Sequence, residues 1–393
     1  MKLLGVHMGL DDVNYFTKLN REMIRGRIFC ADGVFRQGTV ILEDSKIVGV
    51  DFTLVDLGVF SGLSKYIIPS LVDIHLHGAA GVEGCTASLD DLIKMDRYER
   101  ELGIGAYCLA SMTLPFGDID KMCKILDKAM KTDAIKGLRG IYLEGPFISK
   151  DKCGAQNKKN VKDTTDSNID KFIRIIEKYD CIKYVVLAPE LSGVERLIHR
   201  LREKGIKVSL GHTNASYKSA MVGFEAGASQ VTHLYNAMTS FNHRDPGVVG
   251  AAFDKAEYVE LITDGYHIDP SVVRSSFTMF GEERMILVSD STMATGLGDG
   301  EYMLGDQKVT VSDRKAVLTD YEYSVLAGSA SNLYECMVSA IKMGVPASKA
   351  IKAATINPAR SLGIDDVYGS IEVGKSPGFI LADPDWNIID VVY

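Results

Sequence analysis

Two histidines separated by one residue, His75 and His77, close the apolar run YIIPSLVDIHLHG at residues 66–78. Side chains alternate along a strand, so both imidazoles leave the chain on the same side, an arrangement that suits a metal ion. A histidine on an apolar run is often only packed or hydrogen-bonded, and the pair alone does not decide between the two readings. The rest of the chain repeats the pattern: Glu144 ends GIYLE, His212 follows IKVSLG, His233 ends SQVTH and Asp290 ends MILVSD. Of the eight histidines, five (His75, His77, His212, His233 and His267) fall at or just beyond such run ends, where chance would scatter them over loops and helix faces. For His267 a satisfied polar residue is the competing reading. Imidazoles with carboxylates suit zinc, iron(II), manganese or cobalt, and the lack of cysteine at these positions argues against a closed structural zinc site. An ion of this kind can bring the pKa of water to about 7 and polarise a carbonyl, which is hydrolytic chemistry. Asp290 is then a candidate general base, a plain metal ligand, or both.

Such residues act together only if the fold brings the run ends to one place. From Tyr66 onward, apolar runs of about five residues alternate with longer amphipathic stretches, as parallel strands alternate with crossover helices. Eight runs can be counted: YIIPSLVDI, AYCLAS (106–111), GIYLE (140–144), KYVVLA (183–188), IKVSLG (206–211), SQVTH (229–233), VELITD (259–264) and MILVSD (285–290). Helical stretches fill most gaps, among them 88–103, 168–180, 193–205 and 216–227. Eight such units predict a (β/α)8 TIM barrel, whose strand C-termini open onto one active face; a doubly wound open sheet is the alternative. Residues 22–65 carry short alternating segments (IRGRIF, GTVILEDSKIVGV, DFTLVDLG), and GSIEVGKSPGFILADPDWNIIDVVY returns to strand texture at the end. A small β-sandwich domain built from the N- and C-terminal segments is expected, with residues 1–65 and 366–393 flanking a barrel over 66–365. GEYMLGDQKVTVSDRKAVL (300–318) reads as a hairpin excursion.

Composition limits the functional classes. A 393-residue chain that is 46% hydrophobic and 24% charged, with a net charge of −8, is neither disordered nor a nucleic-acid binder. A phosphorylated ligand stays possible if one pocket supplies local positive groups. Seven scattered cysteines (Cys30, Cys85, Cys108, Cys123, Cys153, Cys181 and Cys336), none in CxxC, favour free thiols in a reducing compartment. No run approaches the ~20 apolar residues of a membrane span, and MKLLGVHMGL, interrupted and followed by Asp11 and Asp12, does not read as a signal peptide. A cytoplasmic protein is expected.

The segments HLH after PSLVD, YLEGPF, LGHTNAS, THLYNAM, TDGYHID and LVSDSTMATGLGDGEY together resemble the amidohydrolase superfamily and, within it, the N-acetylglucosamine-6-phosphate deacetylase family. The likeness runs from about residue 22 to the C-terminus. It implies hydrolysis of the acetamide of N-acetyl-D-glucosamine 6-phosphate to glucosamine 6-phosphate and acetate, a step of amino-sugar catabolism. It further implies that Glu144, His212 and His233 hold the catalytic metal, zinc first with iron, manganese or cobalt as alternatives. His75, His77 and Asp290 would hold a second ion, giving one or two per subunit. No lysine ends VVLAPE, so a carbamylated-lysine bridge is unavailable there and Glu144 would bridge. By the same resemblance Asn236 and the Ala237 backbone contact the phosphate, His267 contacts the sugar phosphate region, and Arg244 reaches a neighbouring subunit's site, making the active unit a homodimer; otherwise Arg244 is a solvated loop residue. Gln156, in CGAQN, stands where the family carries a histidine that helps polarise the acetyl carbonyl. Losing a donor of that kind costs about 3 kcal/mol, so another N-acetylated sugar phosphate, such as the galactosamine epimer, or a cyclic amide, is a competing substrate. A catalytically silent sugar-phosphate-binding barrel is the competitor from outside the enzymes.

Overall fold

The computed structural model describes residues 21–44, 46–52, 65–320, 324–376 and 378–393. Its centre is an eight-stranded sheet whose strands pair in parallel in chain order: Leu71–Leu76, Ile104–Ser111, Leu138–Glu144, Ile182–Leu187, Lys207–Leu210, Gln230–Val231, Tyr258–Ile262 and Met285–Val288. The first and last strands meet at their C-terminal ends, where the Asp290 N–H donates to the His75 carbonyl at 3.0 Å and the His77 N–H to the Ser291 carbonyl at 2.8 Å. The sheet closes as the expected (β/α)8 barrel rather than staying open. A helix follows each strand, beginning with Leu89–Glu101, which the reciprocal Ser88–Asp91 capping box starts. The last of the eight, Leu333–Lys342, uses the same device with Asn332 and Glu335.

Two apolar layers result from the two-residue period of the strands. Val259 and Leu261 face the helices, as do Met285 and Leu287. Ile262, Ile286 and Val288 turn inward with Val72, Ile74, Tyr142 and Tyr184 to fill the barrel. The same period leaves inward positions for polar side chains, and Ser209, Gln230, Thr232 and Glu260 occupy them fully buried.

The run 66–74, expected as one strand, is two. Tyr66–Pro69 joins a six-stranded sheet ordered Ile388–Val392, Phe379–Ala382, Tyr66–Pro69, Arg21–Phe29, Phe35–Glu43 and Lys46–Asp51, which fits the small β domain expected from both ends of the chain. Pro69 has no N–H to carry a ladder onward, and the next two residues change partners: Ser70 N–H donates to Gly378 O, Leu71 N–H to Gly103 O. The expectations for MKLLGVHMGL and for most of DFTLVDLG lie outside the described residues. The excursion at 300–318 is a three-stranded antiparallel sheet, Gly300–Leu304, Gln307–Ser312 and Lys315–Leu318, one strand more than a hairpin.

Candidate metal centre

The first barrel strand does not reach its end in regular register. Its pairing with the second strand shifts between Asp73 and Leu76, and a slip of one residue reverses which face a side chain occupies. Val72 and Ile74 point into the barrel, Leu76 points out, and His75 and His77 are thereby turned inward. The Asp73 carboxylate occupies the irregularity and accepts the backbone N–H of His75 at 3.2 Å and of Ser289 at 3.4 Å. Burial pushes its pKa up to about 7, against these hydrogen bonds.

Five barrel strands deliver side chains to one buried point. His212 Nε2 and His233 Nε2 lie 3.1 and 3.2 Å from Glu144 Oε1 and 3.1 Å from each other. On the other side of the same carboxylate, His77 Nε2 is 3.4 Å from Glu144 Oε2 and 3.2 Å from Asp290 Oδ1, while His75 Nε2 is 3.7 Å from Glu144 Oε1 and from Asp290 Oδ1. Two triads therefore share Glu144: His75–His77–Glu144 and Glu144–His212–His233. His212, His233 and Asp290 have φ of 46°, 28° and 49°, a left-handed backbone that L-residues seldom adopt and that concentrates at working sites.

These residues fit a divalent ion. Nitrogen and oxygen ligands of a tetrahedral ion at about 2.0–2.1 Å stand about 3.3 Å apart, close to the spacing within the Glu144–His212–His233 triad. The buried Nε2 of His75 has no hydrogen-bond partner, although it faces two carboxylate oxygens. Electrostatics point the same way. Burial opposes the charge of Glu144, yet the facing imidazoles of His212, His75 and His233 outweigh it and hold the carboxyl well below its usual range. Asp290 is likewise lowered, with His77, His75 and His233 overcoming burial. Against their own burial, Glu144, Glu260 and Asp290 raise His75 to about 9, and Asp290 with Glu144 raise His77 to about 10. Buried carboxylates at this density need cations, which protons supply at the same nitrogens that a metal would take.

The amidohydrolase family model matches residues 66–392. The chain belongs to the amidohydrolase family. It is 36% identical over 366 residues to an N-acetylglucosamine-6-phosphate deacetylase of Bacillus subtilis, covering 91% of both chains. An N-acetylgalactosamine-6-phosphate deacetylase of Escherichia coli O157:H7 is 31% identical over 365 residues, 92% of this chain and 95% of the relative. The crystal structure of N-acetyl-D-glucosamine-6-phosphate deacetylase from Mycobacterium smegmatis superposes with a TM-score of 0.85 at 27% identity, over 94% of this chain and 97% of that one. Amidohydrolases are metal-dependent, and this one has His/Glu groups able to hold an ion.

Around this amidohydrolase centre lies a cavity of about 280 Å³. His77, Glu144, Gln156, His212, His233, Asn236, Ala237, His267 and Asp290, all singled out from sequence, line it; His75 sits beneath them, fully buried. Gln156 spends its amide on the centre: Nε2 donates to Glu144 Oε2 at 2.6 Å while Oε1 accepts the Thr113 N–H at 2.5 Å. His267 Nδ1 is held by Asp264 Oδ2 at 2.8 Å; that carboxylate overcomes burial to raise the imidazole, and is itself lowered by it. Arg244 is exposed on the 239–246 loop and does not line the cavity of its own chain. Among the described residues no lysine or arginine does.

Sequence reasoning missed several contributors. Met112, Ala155, Leu304, Val325 and Leu326 form an apolar side, partly from the 300–318 excursion. Glu190 of VVLAPE fixes the loop after His212 by accepting the Thr213 hydroxyl at 2.6 Å and the Asn214 N–H at 2.7 Å. Glu260 lies behind His75 with no exposure. A lone charge inside the apolar VELITD was the available signal, since an inward barrel position rarely takes an acid without a partner.

Proposed function

We propose that this amidohydrolase removes the acetyl group of N-acetyl-D-glucosamine 6-phosphate, giving glucosamine 6-phosphate and acetate. The observation that carries the reading is the pair of triads sharing Glu144 at the floor of the cavity, in a chain similar along nine-tenths of its length to deacetylases of phosphorylated amino sugars. Glu144, His212 and His233 would hold one divalent ion, and His75, His77 and Asp290 a second, with zinc first and iron, manganese or cobalt also compatible with these ligands. When bound, the ion supplies Lewis-acid activation of water and of the amide carbonyl. Asp290, kept ionised beside His77, accepts a proton from the attacking water and returns it to the leaving nitrogen. Gln156, through Glu144, helps fix the carboxylate that the two halves share. The apolar side formed by Met112, Leu304 and Leu326 suits the acetyl methyl, and Asn236, the Ala237 backbone and His267 are assigned to the phosphosugar.

A phosphate also needs positive charge, and among the described residues His267 is the only cavity group outside the ligand set that can carry it. By the resemblance, Arg244, which is exposed and does not line its own cavity, is assigned to the site of a second copy, making the active unit a homodimer. Free cysteines throughout the described residues and the lack, among them, of a helix long and apolar enough to cross a membrane support a cytoplasmic setting.

The test is acetate release from a panel of acetamido sugars with and without a 6-phosphate. Preference for the phosphorylated gluco sugar is expected. Equal rates on unphosphorylated sugars would reject the phosphosugar reading, and preference for the galacto epimer would move the substrate to that of the Escherichia coli relative.

A further inference from the structure

We propose that Glu260 is a positioning residue that commits the His75 imidazole to a divalent ion, and that among the candidate ligand rings it backs His75 alone. Glu260 stands on the seventh barrel strand, fully buried and out of the cavity. Its Oε1 accepts from the Tyr142 hydroxyl at 2.8 Å and the Gln230 amide at 2.6 Å; its Oε2 accepts the His233 backbone N–H at 3.3 Å and lies 3.1 Å from His75 Nδ1. Three donors already point at the two oxygens of Glu260, which accepts from each, so the hydrogen between Glu260 and His75 belongs on Nδ1. A neutral ring in that tautomer presents a bare Nε2, the atom that is buried without a hydrogen-bond partner and faces Glu144 and Asp290. A lone pair set against two carboxylate oxygens is stabilised by a cation and by little else.

Among the described residues no carboxylate backs the rings of the other half. His212 Nδ1 faces the backbone carbonyl of Lys152 at 3.1 Å, and His233 Nδ1 has no hydrogen-bond partner. A carboxylate behind a ligating imidazole raises its basicity and fixes its tautomer, and losing such a partner typically costs 10–100-fold in metal affinity. The inference rests on the metal-centre reading above and not on the choice of substrate, so its test reads metal rather than turnover.

Protein loaded with excess zinc and freed of unbound ion is titrated with a chelator, and the ions left on each chain are counted by elemental analysis. Wild type should release two ions in two steps. Glu260→Gln should move one step by about 10–100-fold toward lower chelator while the other stays within about threefold. Tyr142→Phe, which deletes another bond of the same carboxylate but leaves the Nδ1 contact, should move neither by more than about threefold. In the unaltered zinc-loaded protein, histidine-selective 15N spectra should place the His75 hydrogen on Nδ1, a readout that does not depend on the variants folding. The proposal is overturned if wild type never exceeds one ion per chain, if both steps or neither move in Glu260→Gln, if Tyr142→Phe matches it, or if His75 carries its hydrogen on Nε2.

Discussion

The two halves of the centre share one carboxylate and are built differently. On the Glu144–His212–His233 side the candidate ligand atoms stand 3.1–3.2 Å apart, and two of the candidate ligands sit on left-handed backbone just past their strands. On the His75–His77 side the distances to Glu144 and Asp290 widen to 3.2–3.7 Å, the strand needs an irregular register, and a buried acid backs the histidine. One half is preset by ligand spacing and the other by the groups behind its ligands. Binding should therefore be tighter in the first half and more easily tuned in the second.

The largest effect should come from breaking what the halves share. Glu144→Gln should release both ions and lower acetate production by at least about 10³-fold, since the Lewis-acid contribution is worth several kcal/mol; retention of one ion in elemental analysis would show that the halves do not meet at this carboxylate. Asp290→Asn should cut turnover by about 10²–10³-fold through the lost proton acceptor while most of the metal remains. Normal turnover in that variant would remove Asp290 from the mechanism.

Replacing His75 and His77 together by alanine sharpens the contrast. One ion should remain, with turnover down by about 10–100-fold, whereas His212→Ala should lose the tighter ion and far more activity. Equal losses would mean that neither half leads.

The smallest effect concerns the polar wall of the cavity and depends on pH. The His267 share of stability is fully present below the ordinary imidazole pKa and is lost as pH rises through its elevated folded value; that of Asp264 is present above the ordinary carboxylate pKa and is lost as pH falls through its depressed value. Between those limits the pair is charged. Asp264→Asn should let His267 deprotonate sooner, raising KM for the phosphorylated sugar about tenfold near pH 7.5 and little near pH 5.5. A KM increase of the same size at both pH values would assign Asp264 a purely structural role.

Much of this could be read from the residues. Eight apolar runs with helical gaps made a parallel α/β fold legible, the barrel ahead of an open sheet, because parallel strands covered on both faces are near-continuous apolar segments, and the candidate ligands stood out as polar residues at run ends. What could not be read depended on tertiary partners. Pro69 splits the first run because Ser70 and Leu71 find backbone partners far along the chain. The slip that turns His75 inward involves the neighbouring strand. Gln156 lines the cavity, but nothing in CGAQN foretells that its amide bonds Glu144. Met112, Leu304 and Leu326 look like ordinary core residues until the 300–318 excursion folds against the barrel mouth.

The most direct measurement is acetate release from N-acetyl-D-glucosamine 6-phosphate by protein as purified, after chelator has stripped it to below about 0.1 ion per chain, and after reloading with zinc. Turnover should vanish on stripping and return in step with the ions bound. Undiminished turnover by the stripped protein would contradict the account.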